Sequence, residues 1–135
     1  MRAVLDPNVI ISALLSPSGT PARVFRAWLD GRFDLVVSPV LLAELDQALA
    51  YPKLRRRIPE PEAGQLIEWI RRSATVADDP DDPASVSSRD PGDDYLLALM
   101  TAERAVLVTG DGHLHGLDTD LPILTAGGFL ALLQD

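Results

Sequence analysis

The chain has no cysteine, two histidines (His113 and His115) and a single lysine, Lys53. Without cysteine there is no disulfide framework, no thiolate zinc site and no cysteine nucleophile. Two histidines leave little room for a zinc site built on imidazole, so a bound metal would be held mostly by oxygen. Phosphoryl transfer through an aspartyl phosphate needs a lysine near the phosphate, and Lys53 lies in a basic segment far in sequence from any expected strand end, which makes that chemistry a weak candidate. Long apolar runs are missing as well. Met1-Arg2-Ala3-Val4-Leu5 meets Asp6 at once, too short a stretch for a signal peptide or a membrane span, so a soluble, cytoplasmic protein with no membrane partner is expected. Aromatic residues are only 5% of the chain, and Phe25, Trp28, Trp69 and Phe129 fall at core-like helical positions that assign them to packing.

What is abundant is aliphatic and acidic. Hydrophobic residues make up 47% of 135, enough for one packed domain over 1–135. The formal charge is -8, and the acids are mostly aspartate, 15 Asp against 5 Glu. Between Asp78 and Asp94 stand seven aspartates and one arginine. So acidic a balance ordinarily argues against nucleic acid as a partner, because phosphate binding needs basic surface. A rim of Lys53 to Arg57 with Arg71 and Arg72 could contact phosphate, or could equally be a solvated loop between helices.

Strand and helix signals alternate along the chain, with no internal repeat, which predicts a three-layer α/β/α domain around a mainly parallel sheet. Strands are expected at Ala3–Leu5, Leu35–Val37, Thr75–Val76, Ala105–Thr109 and Pro122–Leu124. Asn8 is expected to cap a first helix through Leu15, and Thr20-Pro21 and Ser38-Pro39 to start the next two as a cap followed by an N1 proline. Gly31 stops the second helix. Lys53–Arg57 reads as a basic break before a helix from about Glu60 to Arg72, Asp78 to Pro91 as an exposed loop, and Tyr95–Ala102 as a buried apolar helix. Thr125 caps the last helix.

In sheets of this kind chemistry sits at the carboxyl ends of the strands. Asp6 directly follows the first strand and Asp111 follows the Val106–Val108 strand, so both should emerge on one rim. Each also has a plainer reading: Asp6 as a helix cap or turn residue, Asp111 as a turn residue between two glycines. Glu44 stands among Leu41, Leu42 and Leu45, where an unpaired buried carboxylate is expensive and needs solvent or a cation. Asp90, Asp93 and Asp94 open the apolar helix, where acids also suit the helix dipole. Four or five carboxylates around one pocket repel unless a cation lies between them. Mg²⁺ or Mn²⁺ would satisfy such a set and could engage a phosphodiester.

Four segments, in order, resemble the PIN-domain ribonucleases, and within them the toxins of toxin–antitoxin pairs. They are Val4-Leu5-Asp6-Pro7-Asn8-Val9, Ser38-Pro39-Val40-Leu41-Leu42-Ala43-Glu44-Leu45, Asp90-Pro91-Gly92-Asp93-Asp94-Tyr95-Leu96 and Val106-Leu107-Val108-Thr109-Gly110-Asp111. The resemblance implies a Mg²⁺- or Mn²⁺-dependent endoribonuclease with Asp6, Glu44, Asp93 and Asp111 as metal-binding acids. Asp94 stands as alternate to Asp93, and Asn8 would orient the site. It also implies RNA as substrate, a cognate antitoxin and a homodimer. Pro7 stands where the family usually has Thr or Ser, and Gly112-His113 where many relatives carry a further acid; His113 is expected to be an exposed turn residue. A second reading keeps the fold but drops catalysis, leaving an RNA-binding or protein-interaction module.

Overall fold

The computed structural model describes residues 1–81, 93–117 and 120–134. Five strands form one parallel sheet in the order β3-β2-β1-β4-β5: β1 (Arg2–Leu5), β2 (Asp34–Val37), β3 (Thr75–Val76), β4 (Val106–Val108) and β5 (Ile123–Leu124). Leu5 lies opposite Val108 and Val4 opposite Leu107, and on the other side of β1 Ala3 pairs with Leu35. Ala3, Val4, Leu5, Leu35, Val36, Val37, Leu107 and Val108 are all buried, as expected for a parallel sheet covered on both faces. The fold is a three-layer α/β/α sandwich.

Eight helices surround the sheet among the described residues: α1 (Pro7–Leu15), α2 (Thr20–Leu29), α3 (Pro39–Leu49), α4 (Pro52–Arg55), α5 (Glu60–Ser73), α6 (Asp94–Glu103), α7 (Gly112–His115) and α8 (Ala126–Leu133). Ser38 caps α3 as its sequence predicts, the hydroxyl accepting from Leu41 N at 3.2 Å, and Thr125 caps α8 by accepting from Gly128 N at 3.0 Å. Gly31 ends α2 with φ +76°, a left-handed conformation that suits a residue without Cβ. α6 packs on β1 and β4 and buries Leu96, Leu97, Leu99 and Met100.

The structure differs from the sequence expectation at several ends. The cap of α1 is Asp6, not Asn8: the Asp6 carboxylate accepts from Asn8 N at 2.9 Å and Pro7 is the first helical residue. A proline there loses no hydrogen bond, since the first N–H groups of a helix have no partner within it. α2 begins at Thr20 itself, after Gly19, with no side-chain cap. Part of the Lys53–Arg57 break is helical as α4, and α7 follows Asp111 where only a turn is expected. Trp69 is 36% exposed, although its ring lies 5.1 Å from that of Trp28 and 6.3 Å from that of Phe25. Asp90 and Arg89 lie outside the described residues. Among the described residues no helix is long and apolar enough to cross a membrane.

Candidate active site

The strand order places the topological switch between β1 and β4, because β2 and β3 extend the sheet to one side of β1 while β4 and β5 extend it to the other. A crevice opens outside the carboxyl ends of strands at such a point. Asp6 leaves β1 there and Asp111 leaves β4 there. Both line one cleft of about 370 Å³, together with Asn8, Val9, Ser12, Pro21, Gly110 and Ala126.

The two acids are tied through one hydroxyl. Thr109, fully buried, donates from Oγ1 to Asp6 Oδ2 at 2.8 Å, and the same Oγ1 accepts from Asp111 N at 3.0 Å. Asp6 N donates to Val108 O at 3.0 Å, extending the β1–β4 ladder by one bond. Asp6 is 5% exposed, yet each carboxylate oxygen has a donor, Asn8 N and Thr109 Oγ1, which is what a buried carboxylate requires. Asp111 is partly buried and accepts from His113 N at 2.8 Å, so it starts α7 as its cap. The plain readings and the chemical one therefore coincide: both acids cap helices and both still face one cleft. His113 is exposed, as expected, and the His115 ring contacts Thr109 O at 2.6 Å.

Four acids, Asp6 among them, act electrostatically on Tyr95, in the first turn of α6. Its hydroxyl is pushed well above the ordinary phenol range, first by burial, then by the charges of Asp6, Glu44, Asp93 and Asp79. Three of these four acids are sequence candidates, drawn from the ends of β1, α3 and the start of α6, and their fields meet at one phenol. Asp93 is the residue that precedes α6 and acts on Tyr95, while Asp94 is the first residue of the helix. Glu44 is exposed on α3: Leu41, Leu42 and Leu45 turn inward and Glu44 meets solvent, one of the two ways expected for a carboxylate beside those leucines.

Asp79, Tyr95 and Thr109 are missing from the sequence candidates. Asp79 follows β3 and caps α3 from a distance, its Oδ2 accepting from Val40 N at 2.9 Å, while its Oδ1 is buried without a hydrogen-bond partner. No local pattern marks that contact, which spans 39 positions. The Thr109 contact was open to inspection in Val108-Thr109-Gly110-Asp111, since a hydroxyl on the last residue of a strand beside an acid is positioned to bond it.

Oxygen donors alone, drawn from aspartate and glutamate, fit a hard divalent ion by their chemistry. As the side chains stand, no three His, Asp or Glu among the described residues close around a point where an ion would be held. Each Asp6 oxygen accepts one hydrogen bond from the protein and keeps a further lone pair, so those bonds orient the carboxylate without using up its capacity to bind a cation.

Residues 2–113 match the family model described as PIN domain. The chain belongs to the PIN domain family. Over 117 residues, 87% of this chain and 75% of its relative, it is 28% identical to an uncharacterised protein of Methanocaldococcus jannaschii. Its fold is similar to that of a chain in the crystal structure of VapBC2 from Rickettsia felis bound to a DNA fragment from their promoter, with TM-score 0.61 and 16% identity over 91% of this chain and 97% of that one. In this PIN domain the matched span of residues 2–113 includes both Asp6 and Asp111 of the cleft.

Proposed function

We propose that this PIN domain is an endoribonuclease that hydrolyses RNA phosphodiester bonds with Mg²⁺ or Mn²⁺, and that it is the toxin of a toxin–antitoxin pair. The observation that carries this reading is the meeting of Asp6 and Asp111 in one cleft at the switch point, within a PIN domain. Asp6, Glu44, Asp93 and Asp111 are the residues that would hold the ion, with Asp94 as alternate to Asp93. When bound, a divalent ion supplies charge to a phosphate and lowers the pKa of water.

The chain's own residues do the positioning. Thr109 fixes Asp6 and Asp111 relative to each other, so the negative charge of the cleft is set by the sheet and not by mobile loops. Asn8 N holds the other oxygen of Asp6 and keeps its carboxylate turned to the cleft. Pro7, in place of Thr or Ser, removes a hydroxyl but leaves the α1 cap intact.

The fold neighbour is part of a VapBC2 assembly on promoter DNA, which supports an antitoxin as partner of this chain. A cytoplasmic homodimer completes the proposal. A second reading, a PIN fold that binds RNA or protein without cleaving, is favoured by one observation: no three described acids ring a point. Incubation of RNA with the purified protein and Mn²⁺, beside Asp6→Asn, separates the two. Mn²⁺-dependent cleavage lost in the variant supports the nuclease; absence of both cleavage and metal binding in the wild type supports the module.

A further inference from the structure

A basic cleft lies on the same helix seam as the acidic one. α2 packs against α8, and Pro21 in the first turn of α2 and Ala126, the first residue of α8, line the cleft of Asp6 and Asp111. Further along the same two helices a second cleft of about 190 Å³ is lined by Arg23, Arg26, Asp30 and Arg32 with Leu130 and Gln134. From Pro21 to Asp30 a helix advances roughly 13 Å at 1.5 Å per residue. The span is that of a few nucleotides. Three arginines stand here against one aspartate, in a protein whose charge is -8.

Two of the three are braced. Arg26 Nη1 donates to Pro17 O at 2.8 Å and Arg32 Nη2 donates to Leu133 O at 2.9 Å. Each such bond uses one of five N–H groups and leaves the rest of the guanidinium to solvent. Arg23 is exposed, and among the described residues its side chain makes no hydrogen bond or ion pair, its backbone N–H donating to Gly19 O at 3.3 Å. Bracing by the last carbonyls of a helix accounts for Arg32 as a dipole partner, but gives Arg23 no role. Phosphate is the ligand that several arginines at one cleft recognise best, by charge-assisted and often bidentate bonds.

We propose that this arginine cleft holds the phosphate backbone of single-stranded RNA beside the scissile bond, the strand running along the α2–α8 seam into the acidic cleft. The proposal rests on the ribonuclease reading for the direction of the strand, and its test reads binding apart from cleavage. The seam, rather than the Lys53–Arg57 segment with Arg71 and Arg72, is then where RNA meets positive charge. Arg71 is already engaged by Glu68 at 3.4 Å.

The experiment is fluorescence anisotropy of a labelled 12-nucleotide RNA with full-length protein in EDTA, across a series of salt concentrations, for wild type, Arg23→Gln, Arg23→Glu and Arg72→Gln. Each single-strand phosphate contact contributes about 0.7 to the slope of log affinity against log salt. Arg23→Gln is expected to weaken binding several-fold and lower that slope by about 0.7, Arg23→Glu to weaken it further. In Mn²⁺-supported cleavage the loss falls on KM instead of kcat, since Arg23 lines the arginine cleft and not the acidic one. Wild-type affinity and slope in both Arg23 variants, a wild type that does not bind the RNA, or a loss carried by Arg72→Gln alone overturns the proposal. Altered binding in the Arg23 variants with no cleavage by any form supports the cleft and contradicts the ribonuclease reading.

Discussion

Thr109 joins the two acids of the cleft: its hydroxyl donates to Asp6 at 2.8 Å and accepts from the Asp111 backbone at 3.0 Å. One side chain thus links the end of β1 to the turn after β4, across the switch point of the sheet. Thr109→Val removes both bonds while keeping the shape, leaving a buried carboxylate oxygen and an amide with one partner fewer. Loss of stability by about 1–3 kcal/mol is expected from urea unfolding, with most of it restored by Thr109→Ser. An unchanged unfolding midpoint in Thr109→Val would contradict the link.

Asp79 predicts a different balance. Its Oδ2 accepts from Val40 N at the start of α3, one turn before Glu44. Asp79→Ala removes a cap and is expected to destabilise by about 1 kcal/mol, whereas Asp79→Asn keeps an acceptor and loses less. Thermal unfolding of the two variants checks the order; equal losses would show that the charge and not the cap is what matters.

Tyr95 carries a pH prediction. Its phenol is raised above the ordinary value of 10.0 in the folded protein, so above that pH the unfolded chain releases a proton that the folded one keeps. Stability is fully present below pH 10 and falls as pH rises toward the folded-state value. Denaturant unfolding at pH 9 and pH 11 is expected to show a larger drop for wild type than for Tyr95→Phe. Equal drops would remove Tyr95 as the cause.

A core substitution calibrates these effects. Leu5 is 1% exposed and pairs with Val108 next to Asp6. Leu5→Ala is expected to cost about 2–5 kcal/mol through lost burial and the cavity left behind. Because Asp6 N is bonded to Val108 O, the same variant should loosen the cleft and lower cleavage beyond its effect on folding, read by activity at a temperature where the variant remains folded.

Strand and helix order was legible because it is local. Val106-Leu107-Val108 reads as a buried strand, Ser38-Pro39 as a helix start and Gly31 as a stop, and each is found so. Asp6 and Asp111 were legible because a strand end fixes which rim an adjacent residue reaches. The remainder depends on tertiary placement. Asp79 reaches Val40 across 39 positions, and Tyr95 gains its acidic surroundings from four separate segments, so neither has a local signature. For Glu44 the sequence left solvent and a cation open, and the structure gives solvent: neighbours on a helix point in different directions, and the leucines face the core while Glu44 does not. Asp6, whose plainer reading was a helix cap, caps α1 in place of Asn8, because the fixed φ of Pro7 suits the first helical position.

The acidity of the chain is likewise a matter of place. Carboxylates gather at the strand ends and around Tyr95, while Arg23, Arg26 and Arg32 share a cleft on the α2–α8 seam. The average charge describes neither.

Asp6 and Asp111 are proposed to serve one metal-dependent RNA-cleaving site. Its most direct test is the initial rate of RNA cleavage in Mn²⁺ by wild type, Asp6→Asn and Asp111→Asn, each shown to be folded. Cleavage by the wild type that EDTA abolishes is expected, with a fall of at least about 100-fold in both variants, the scale seen when a group acting on the transition state is removed. Cleavage by Asp6→Asn at the wild-type rate would contradict the proposal.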